Sequence, residues 1–351
     1  MNDDVLLSVQ HLSMYFGKGP YAMKAVDDVS FDIHKGEVFG LVGESGCGKT
    51  TTGRTIIRLY NATGGNVYFK GQRIVAGLLE YKKELKEISE KLKTASEEEA
   101  EGLRNRAAEL KQEIKKAKYD HKHADKKLVT KIQMIYQDPV ASLDPRMTVR
   151  EIIAEGLKIQ GVKDKAYIDE QVYKMLDTVG LVHEHAQRYP HEFSGGQRQR
   201  IGVARSVIMN PEMIIADEPI SALDVSIRAQ VINLLNDLRH SMGLTILFIA
   251  HDLSVVKYFS DRIGVMYFGK MVELATSDEL FLNPLHPYTR SLLSAIPQPD
   301  PEYEKGRTRI SYNPLVDHDY STDKPSFREI KPGHFVMCND AEFRKYLTIL
   351  K

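Results

Sequence analysis

The sequence describes an α/β protein built on a mainly parallel sheet. Three short apolar runs carry that expectation: VFGLV (Val38–Val42), MIIAD (Met213–Asp217) and ILFIA (Ile246–Ala250). Each suits a strand buried on both faces. Helical periodicity separates them, and strands alternating with helices argue for parallel pairing through crossovers. The 351 residues suffice for one large domain or two ordinary ones.

Taken in order, Phe31 and Ile33 alternate with Asp32 and His34, and Lys35-Gly36 follows as a turn. TTGRTIIRLY (Thr51–Tyr60) suits a helix, and GGNVYFKG (Gly64–Gly71) another strand. Then composition shifts. From Glu80 to Lys127, 12 residues are acidic and 14 basic, which leaves only narrow apolar seams. Tyr81, Leu85, Ile88, Leu92 and Ala95 are spaced 4-3-4-3, and Leu103, Ala107, Leu110, Ile114 and Ala117 repeat that spacing. Two short helices joined around TASEEEAEG predict an antiparallel helical hairpin over about 78–128. KIQMIYQDP (Lys131–Pro139) reads as a strand ending in a polar turn. Helical periodicity returns over Thr148–Gln160 and Ile168–Val179. Past about residue 275, NPLHPYTR and PQPDPEYEKG raise the Pro and polar content, so this stretch reads as an appendage.

Composition excludes several classes. Lys plus Arg and Asp plus Glu each number 48, giving zero net charge, unlike a general nucleic-acid binder. No apolar run is long enough to span a bilayer. MNDDVLLSVQ lacks the basic start and apolar core of a secretory signal. Cys47 and Cys338 are the only cysteines, so no disulfide framework is expected. A soluble, reducing compartment follows, and docking onto a membrane protein is compatible with it.

Chemistry concentrates at the ends of the apolar runs. GESGCGKT (Gly43–Thr50) follows VFGLV and precedes a helix, the setting in which G-x-x-x-x-G-K-[ST] cradles phosphate. Glycines let successive backbone N–H groups point at phosphate oxygens, Lys49 reaches the β- and γ-phosphates, and the Thr50 hydroxyl suits Mg²⁺. At the end of MIIADE, Asp217 is placed to hold Mg²⁺ through water and Glu218 to polarise an attacking water. His251 ends ILFIAH and is either a γ-phosphate contact or a structural histidine. FSGGQRQR (Phe193–Arg200) supplies a second anion-binding helix start. One chain rarely needs two such sites for one triphosphate, so the second is expected to close over a nucleotide held by another subunit.

Together these motifs resemble the ATP-binding subunit of an ABC transporter: GESGCGKT, Gln137 in YQDP, SGGQR, MIIADEP followed by SALD, and His251 occur in that family's order, over roughly residues 5–275. The resemblance implies a P-loop NTPase fold with a RecA-like core, an antiparallel β subdomain and a helical signature subdomain at about 140–208. It implies nucleotide contacts from Gly43, Glu44, Ser45, Gly46, Cys47, Gly48, Lys49, Thr50 and Thr51. Across a head-to-tail dimer, Ser194, Gly195, Gly196 and Gln197 would contact the partner's ATP, with Asp224 at the dimer interface. Glu218 would be the general base, His251 the γ-phosphate contact, and Thr50, Gln137 and Asp217 the Mg²⁺ set. Phe16, with Tyr15 second, aligns with the aromatic that stacks on adenine. Phe193, Cys47 and Thr50 depart from the commoner residues without removing a donor or ligand, so a competent ATPase is expected.

MIYQDPVASLDPRMTV (Met134–Val149), NPLHPYTRSLLSAIPQPDP (Asn283–Pro301) and PSFREIKPGHFVMC (Pro325–Cys338) are similar to the dipeptide and oligopeptide importer group, which also includes nickel systems. With Cys338 its only C-terminal cysteine, the chain resembles the F-type subunit, and no iron–sulfur cluster is expected. The resemblance implies a second, D-type ATPase, two permease subunits and an extracytoplasmic solute-binding protein, at the cytoplasmic face of the cell membrane. No nucleic-acid partner is expected. Nickel or oligosaccharide cargo, a soluble ABC-type ATPase of DNA maintenance or translation, and an inactive regulatory subunit are the alternatives. HPYTR is expected to be a surface-packing motif with no chemistry. The charged hairpin exceeds the family's usual connection and reads as either a solvated arm or a docking arm.

Overall fold

A computed structural model describes residues 4–17, 19–296 and 309–350; PQPDPEYEKG (Pro297–Gly306) lies outside them. In chain order the elements are β1 (Val5–Phe16), β2 (Met23–His34), β3 (Val38–Val42), α1 (Lys49–Ile56), β4 (Gly64–Phe69), β5 (Gln72–Ala76), α2 (Leu79–Lys91), α3 (Glu97–Lys122), α4 (Lys126–Val129), β6 (Ile132–Ile135), α5 (Pro139–Ser142), α6 (Val149–Ile159), α7 (Lys165–Thr178), α8 (Gly195–Val207), β7 (Met213–Asp217), α9 (Val225–Met242), β8 (Thr245–Ala250), α10 (Leu253–Phe259), β9 (Arg262–Tyr267), β10 (Lys270–Thr276), α11 (Ser277–Leu282), α12 (Pro287–Ser294), α13 (Pro314–Asp317), β11 (Ser326–Lys331), β12 (His334–Cys338) and α14 (Asp340–Ile349). The chain divides into two units.

The first unit comprises Met1–His34, Gly46–Val129 and Phe268–Lys270. Its sheet has the order β2-β1-β4-β5, with antiparallel pairs such as Leu7↔Phe69 and Val9↔Val67. α1 stops at Ile56, short of the expected Tyr60, because Arg58 turns into the left-handed region (φ 68).

The charged insertion is a hairpin of α2 and α3. All ten seam residues are buried or half-buried, with Leu110 and Ala117 fully so. α3 is longer than the seam spacing suggested, at 26 residues. TASEEEAEG is mostly its first turn rather than a loop: Ser96 caps it in a reciprocal box with Glu99, and Glu97, Glu98 and Glu99 complement the helix dipole. Arg106 pairs with Glu84 at 2.8 Å, tying one helix to the other. The far end of α3 reaches the sheet, where Arg73 Nε donates to Asp120 at 3.1 Å.

The second unit comprises Lys35–Ser45, Thr130–Tyr267 and Met271–Lys351. Its eight strands are ordered β11-β12-β10-β9-β3-β8-β7-β6. The three apolar runs form β3, β8 and β7, and β3–β8, β3–β9, β7–β8 and β6–β7 are parallel. β3, β7 and β8 are buried along their whole length, as strands covered on both faces must be. Helices α6, α7 and α8 pack on one another, and Ile152, Ile153, Val172, Leu176, Val203 and Val207 join the same core as the sheet.

The C-terminal stretch is more than an appendage. β12 pairs antiparallel with β10 through Glu273↔Val336 and Leu274↔Phe335, and β11 adds the edge strand. HPYTR is likewise interior: His286 and Tyr288 are each 2% exposed and Thr289 is fully buried. Composition suggested surface because the partners of the buried His286 and Tyr288 lie elsewhere in the chain. The buried Glu273 carboxylate accepts the N–H groups of Leu285 and His286 at 2.8 and 3.0 Å and lies 2.8 Å from His334 Nε2, which offsets the cost of burying it.

Candidate functional site

Strand register gathers the motif residues of the second unit. Val42 pairs with Ala250, Asp217 with Ile249, and Ile135 with Ala216. The carboxyl ends of the neighbouring strands β3, β8, β7 and β6 are therefore level, where open α/β sheets bind ligands. Gly43, His251 and Glu218 follow those ends directly, and Gln137 lies two residues past the end of β6.

Glu218 is the hub. Its Oε2 receives the Gln137 side-chain amide at 3.0 Å and lies 3.1 Å from His251 Nδ1. The Glu218 side chain is 11% exposed while that of His251 is 51% exposed, so the carboxylate is recessed and the imidazole faces outward. Glu218 has φ 44, a left-handed conformation that costs a non-glycine residue about 1 kcal/mol or more. The surroundings enforce it: Glu218 N–H donates to Ile249 O at 3.0 Å, and Ser221 donates back to Glu218 O through both N–H and hydroxyl. Such strain clusters where function fixes a side chain. Asp217, beside it, is fully buried at the strand end.

The phosphate-loop sequence crosses from the second unit into the first between Ser45 and Gly46. Gly43 is buried and Glu44 and Ser45 are exposed. Gly48 caps α1 at φ 106, open only to glycine without strain, so the loop can turn its N–H groups inward. Thr50 and Thr51 lie in the first turn of α1, half-buried. Lys49 is 3% exposed, with Nζ 3.8 Å from Cys47 Sγ. Burial raises the Cys47 thiol pKa, so this side chain acts as a small packing group. The loop's glycine geometry, lysine and hydroxyls fit a nucleotide triphosphate.

Also in the first unit, Tyr15 and Phe16 are neighbours on β1 and both half-buried. Tyr15 donates its hydroxyl to Asp27, and burial together with Asp27 pushes the phenol up to about 12. The Phe16 ring meets Tyr60 edge-on at 5.4 Å.

The signature sequence begins α8. Ser194 Oγ accepts the Gln197 N–H at 3.3 Å, and Gln197 Oε1 accepts the Ser194 N–H at 3.1 Å. A side chain on Gly196 would meet Ile227 of α9 at 2.5 Å, so glycine is required for the helices to approach. Ser194, Gly195 and Asp224 are exposed. Asp224 caps α9 through its carbonyl, which accepts the Ile227 and Arg228 N–H groups. The second cysteine, Cys338, is buried with Leu285, Ile330, Val336 and Tyr346, and burial pushes its thiol to about 11.

A contact that sequence reasoning missed involves HPYTR. The Tyr288 hydroxyl accepts the Glu44 N–H at 3.0 Å. Nothing in a linear motif signals a bond across 244 residues.

This fold and set of strand-end groups define an ATP-binding cassette. The ABC transporter family model matches residues 26–127 and 103–221, and a model for the oligopeptide/dipeptide transporter C-terminal region matches residues 272–322. The chain belongs to the ABC transporter family and is an ATPase of that family. It is 55% identical over 342 residues to the oligopeptide transport ATP-binding protein OppF of Bacillus subtilis, covering 97% of this chain and 98% of that one. It is 48% identical to AmiF of Streptococcus pneumoniae, covering 97% of each, and 47% identical to the dipeptide transport ATP-binding protein DppF of Lactococcus lactis, covering 97% and 96%. Among solved structures, cbiO1 of Clostridium perfringens superposes with a TM-score of 0.58 at 21% identity, over 80% of this chain and 91% of that one. The ATP-binding cassette MJ0796 gives 0.58 at 23%, over 78% and 99%. These two support the fold.

Proposed function

We propose that this chain is the ATP-hydrolysing subunit of an importer for oligopeptides or dipeptides, paired head to tail with a second, D-type ATPase beneath two permease subunits. A solute-binding protein outside the cytoplasmic membrane would deliver the cargo. The single observation behind the hydrolytic role is the recessed Glu218 carboxylate held by Gln137 and His251. The peptide cargo rests on the relatives' names and the C-terminal region match.

In this reading residues 1–275 are the ATPase domain, with the hairpin 78–128 inserted and the helical signature subdomain at 140–208, and 276–351 are the importer-type extension. Gly43–Thr51 would cradle the triphosphate, with Lys49 against the outer phosphates. Phe16 suits the adenine better than Tyr15, whose hydroxyl is committed to Asp27. Thr50, Gln137 and Asp217 would hold Mg²⁺, which supplies charge neutralisation on the phosphates. Glu218 takes the proton of the attacking water, and His251 and Gln137 fix its rotamer and approach the γ-phosphate. Ser194, Gly195, Gly196 and Gln197 present the start of α8 to the nucleotide of the other ATPase, with Asp224 beside them. Nucleotide binds the closed pair better, so closure drives the permeases and hydrolysis resets them. Cys338 sits among apolar side chains, and no iron–sulfur cluster belongs to this reading.

Uptake of a labelled tetrapeptide by cells whose chromosomal copy carries Lys49→Ala tests the proposal. Loss of ATP-dependent uptake is expected; uptake at the wild-type rate overturns it. Loss of nickel or sugar uptake with peptide uptake intact would keep the engine and change the cargo.

A further inference from the structure

The C-terminal extension reaches the phosphate loop at Tyr288. Tyr288, on the first turn of α12, is 2% exposed, and its hydroxyl accepts the N–H of Glu44, the second residue of GESGCGKT. Both ends of this bond are braced. The Tyr288 ring packs on Tyr267 at 4.4 Å and on Tyr312 at 5.5 Å. Its own N–H is held by His286 Nδ1 at 3.2 Å, and the His286 backbone is pinned by the buried Glu273 carboxylate. Tyr312 and His318 continue the stack, and Tyr320 and Glu342 close it. Glu44 itself is one residue past Gly43, directly after β3. Burial first, then the Glu44 carboxylate, raises the Tyr267 phenol pKa.

We propose that Tyr288 is a positioning residue for ATP: its hydroxyl fixes the start of the phosphate loop, so that this one bond from the C-terminal extension sets nucleotide affinity. The proposal rests on the ATPase reading above. A loop anchored near its start presents its following N–H groups in one arrangement, whereas a loosened loop pays the ordering cost on binding.

Equilibrium binding of a fluorescent ATP analogue to the full chain, and KM and kcat of the assembled complex, test it. Tyr288→Phe keeps the ring and removes the acceptor. Kd and KM should rise about fivefold, the scale of one lost hydrogen bond, with kcat changed less than twofold and the melting temperature nearly kept. Tyr320→Phe, which removes a hydroxyl bonded to His318 and Glu342 in the same extension, should lower the melting temperature and leave Kd unchanged. Unchanged Kd in Tyr288→Phe overturns the proposal, as does an equal rise in both variants, which would mark general loosening. A wild-type complex without ATPase activity would instead sink the underlying reading.

Discussion

Glu218 Oε2 lies 3.1 Å from His251 Nδ1, across two adjacent parallel strands whose ends the register holds level. The Gln137 amide reaches the same oxygen from the other side. Three motifs far apart in sequence thus meet on one carboxylate atom.

Replacing that carboxylate isolates its chemistry. Glu218→Gln keeps the shape and one acceptor oxygen but not the basicity. ATP turnover of the assembled complex should fall by about 100-fold or more, while binding of the fluorescent ATP analogue stays within about twofold. Steady-state phosphate release measures the first, titration the second. Unchanged turnover would remove Glu218 from the role of general base.

Ser194→Ala removes the cap of α8. The loss of the Gln197 N–H to Ser194 Oγ bond should cost roughly 1 kcal/mol of stability, seen in a denaturant titration of the isolated chain. In the assembled complex turnover should fall by more than that loss explains if, as proposed, the same hydroxyl faces the other subunit's nucleotide. An effect on stability alone would confine Ser194 to capping.

His286 makes the extension acid-sensitive. Burial first, then the neighbouring His318 and Arg290, push its pKa down to about 3, against about 6.5 in an unfolded chain. Between those values the unfolded chain binds a proton that the folded chain refuses. Stability is therefore full above pH 6.5 and declines as pH falls through that window, by roughly 1 kcal/mol per unit. His286→Asn retains an acceptor for the Tyr288 N–H and should flatten the melting temperature between pH 6.5 and 5. An unchanged slope would assign the acid loss to other groups.

Leu110 is fully buried in the hairpin seam. Leu110→Ala should cost about 2–5 kcal/mol locally, read as faster proteolytic cleavage within 78–128. Nucleotide Kd should stay at the wild-type value. A matching loss of nucleotide affinity would make the hairpin part of the ATP site rather than an arm.

The sequence made the engine legible because each motif is a local event: an apolar run stops and a phosphate- or water-handling group follows it. Gly43–Thr50, Gln137, Asp217, Glu218 and His251 all follow that rule, and the parallel register supplies the rest. The hairpin seam was legible for the same reason, although α3 runs longer because Ser96 and Glu99 cap it earlier than the turn-like composition suggested. The extension was not legible. Its two strands are short and complete an existing sheet, and its buried polar residues Glu273, His286, Tyr288 and His334 make bonds to partners 12 or more residues away. Polar composition then looks like surface. The left-handed backbone of Glu218 was equally invisible, since it is imposed by Ile249 and Ser221.

The most direct test of the central claim is purification of the native assembly. Tagged chain, extracted gently from membranes, should bring with it a second ATPase, two permease subunits and a solute-binding protein carrying short peptides identifiable by mass spectrometry. Recovery of the chain with no membrane partner would contradict the importer reading and return it to the soluble ABC-type ATPases.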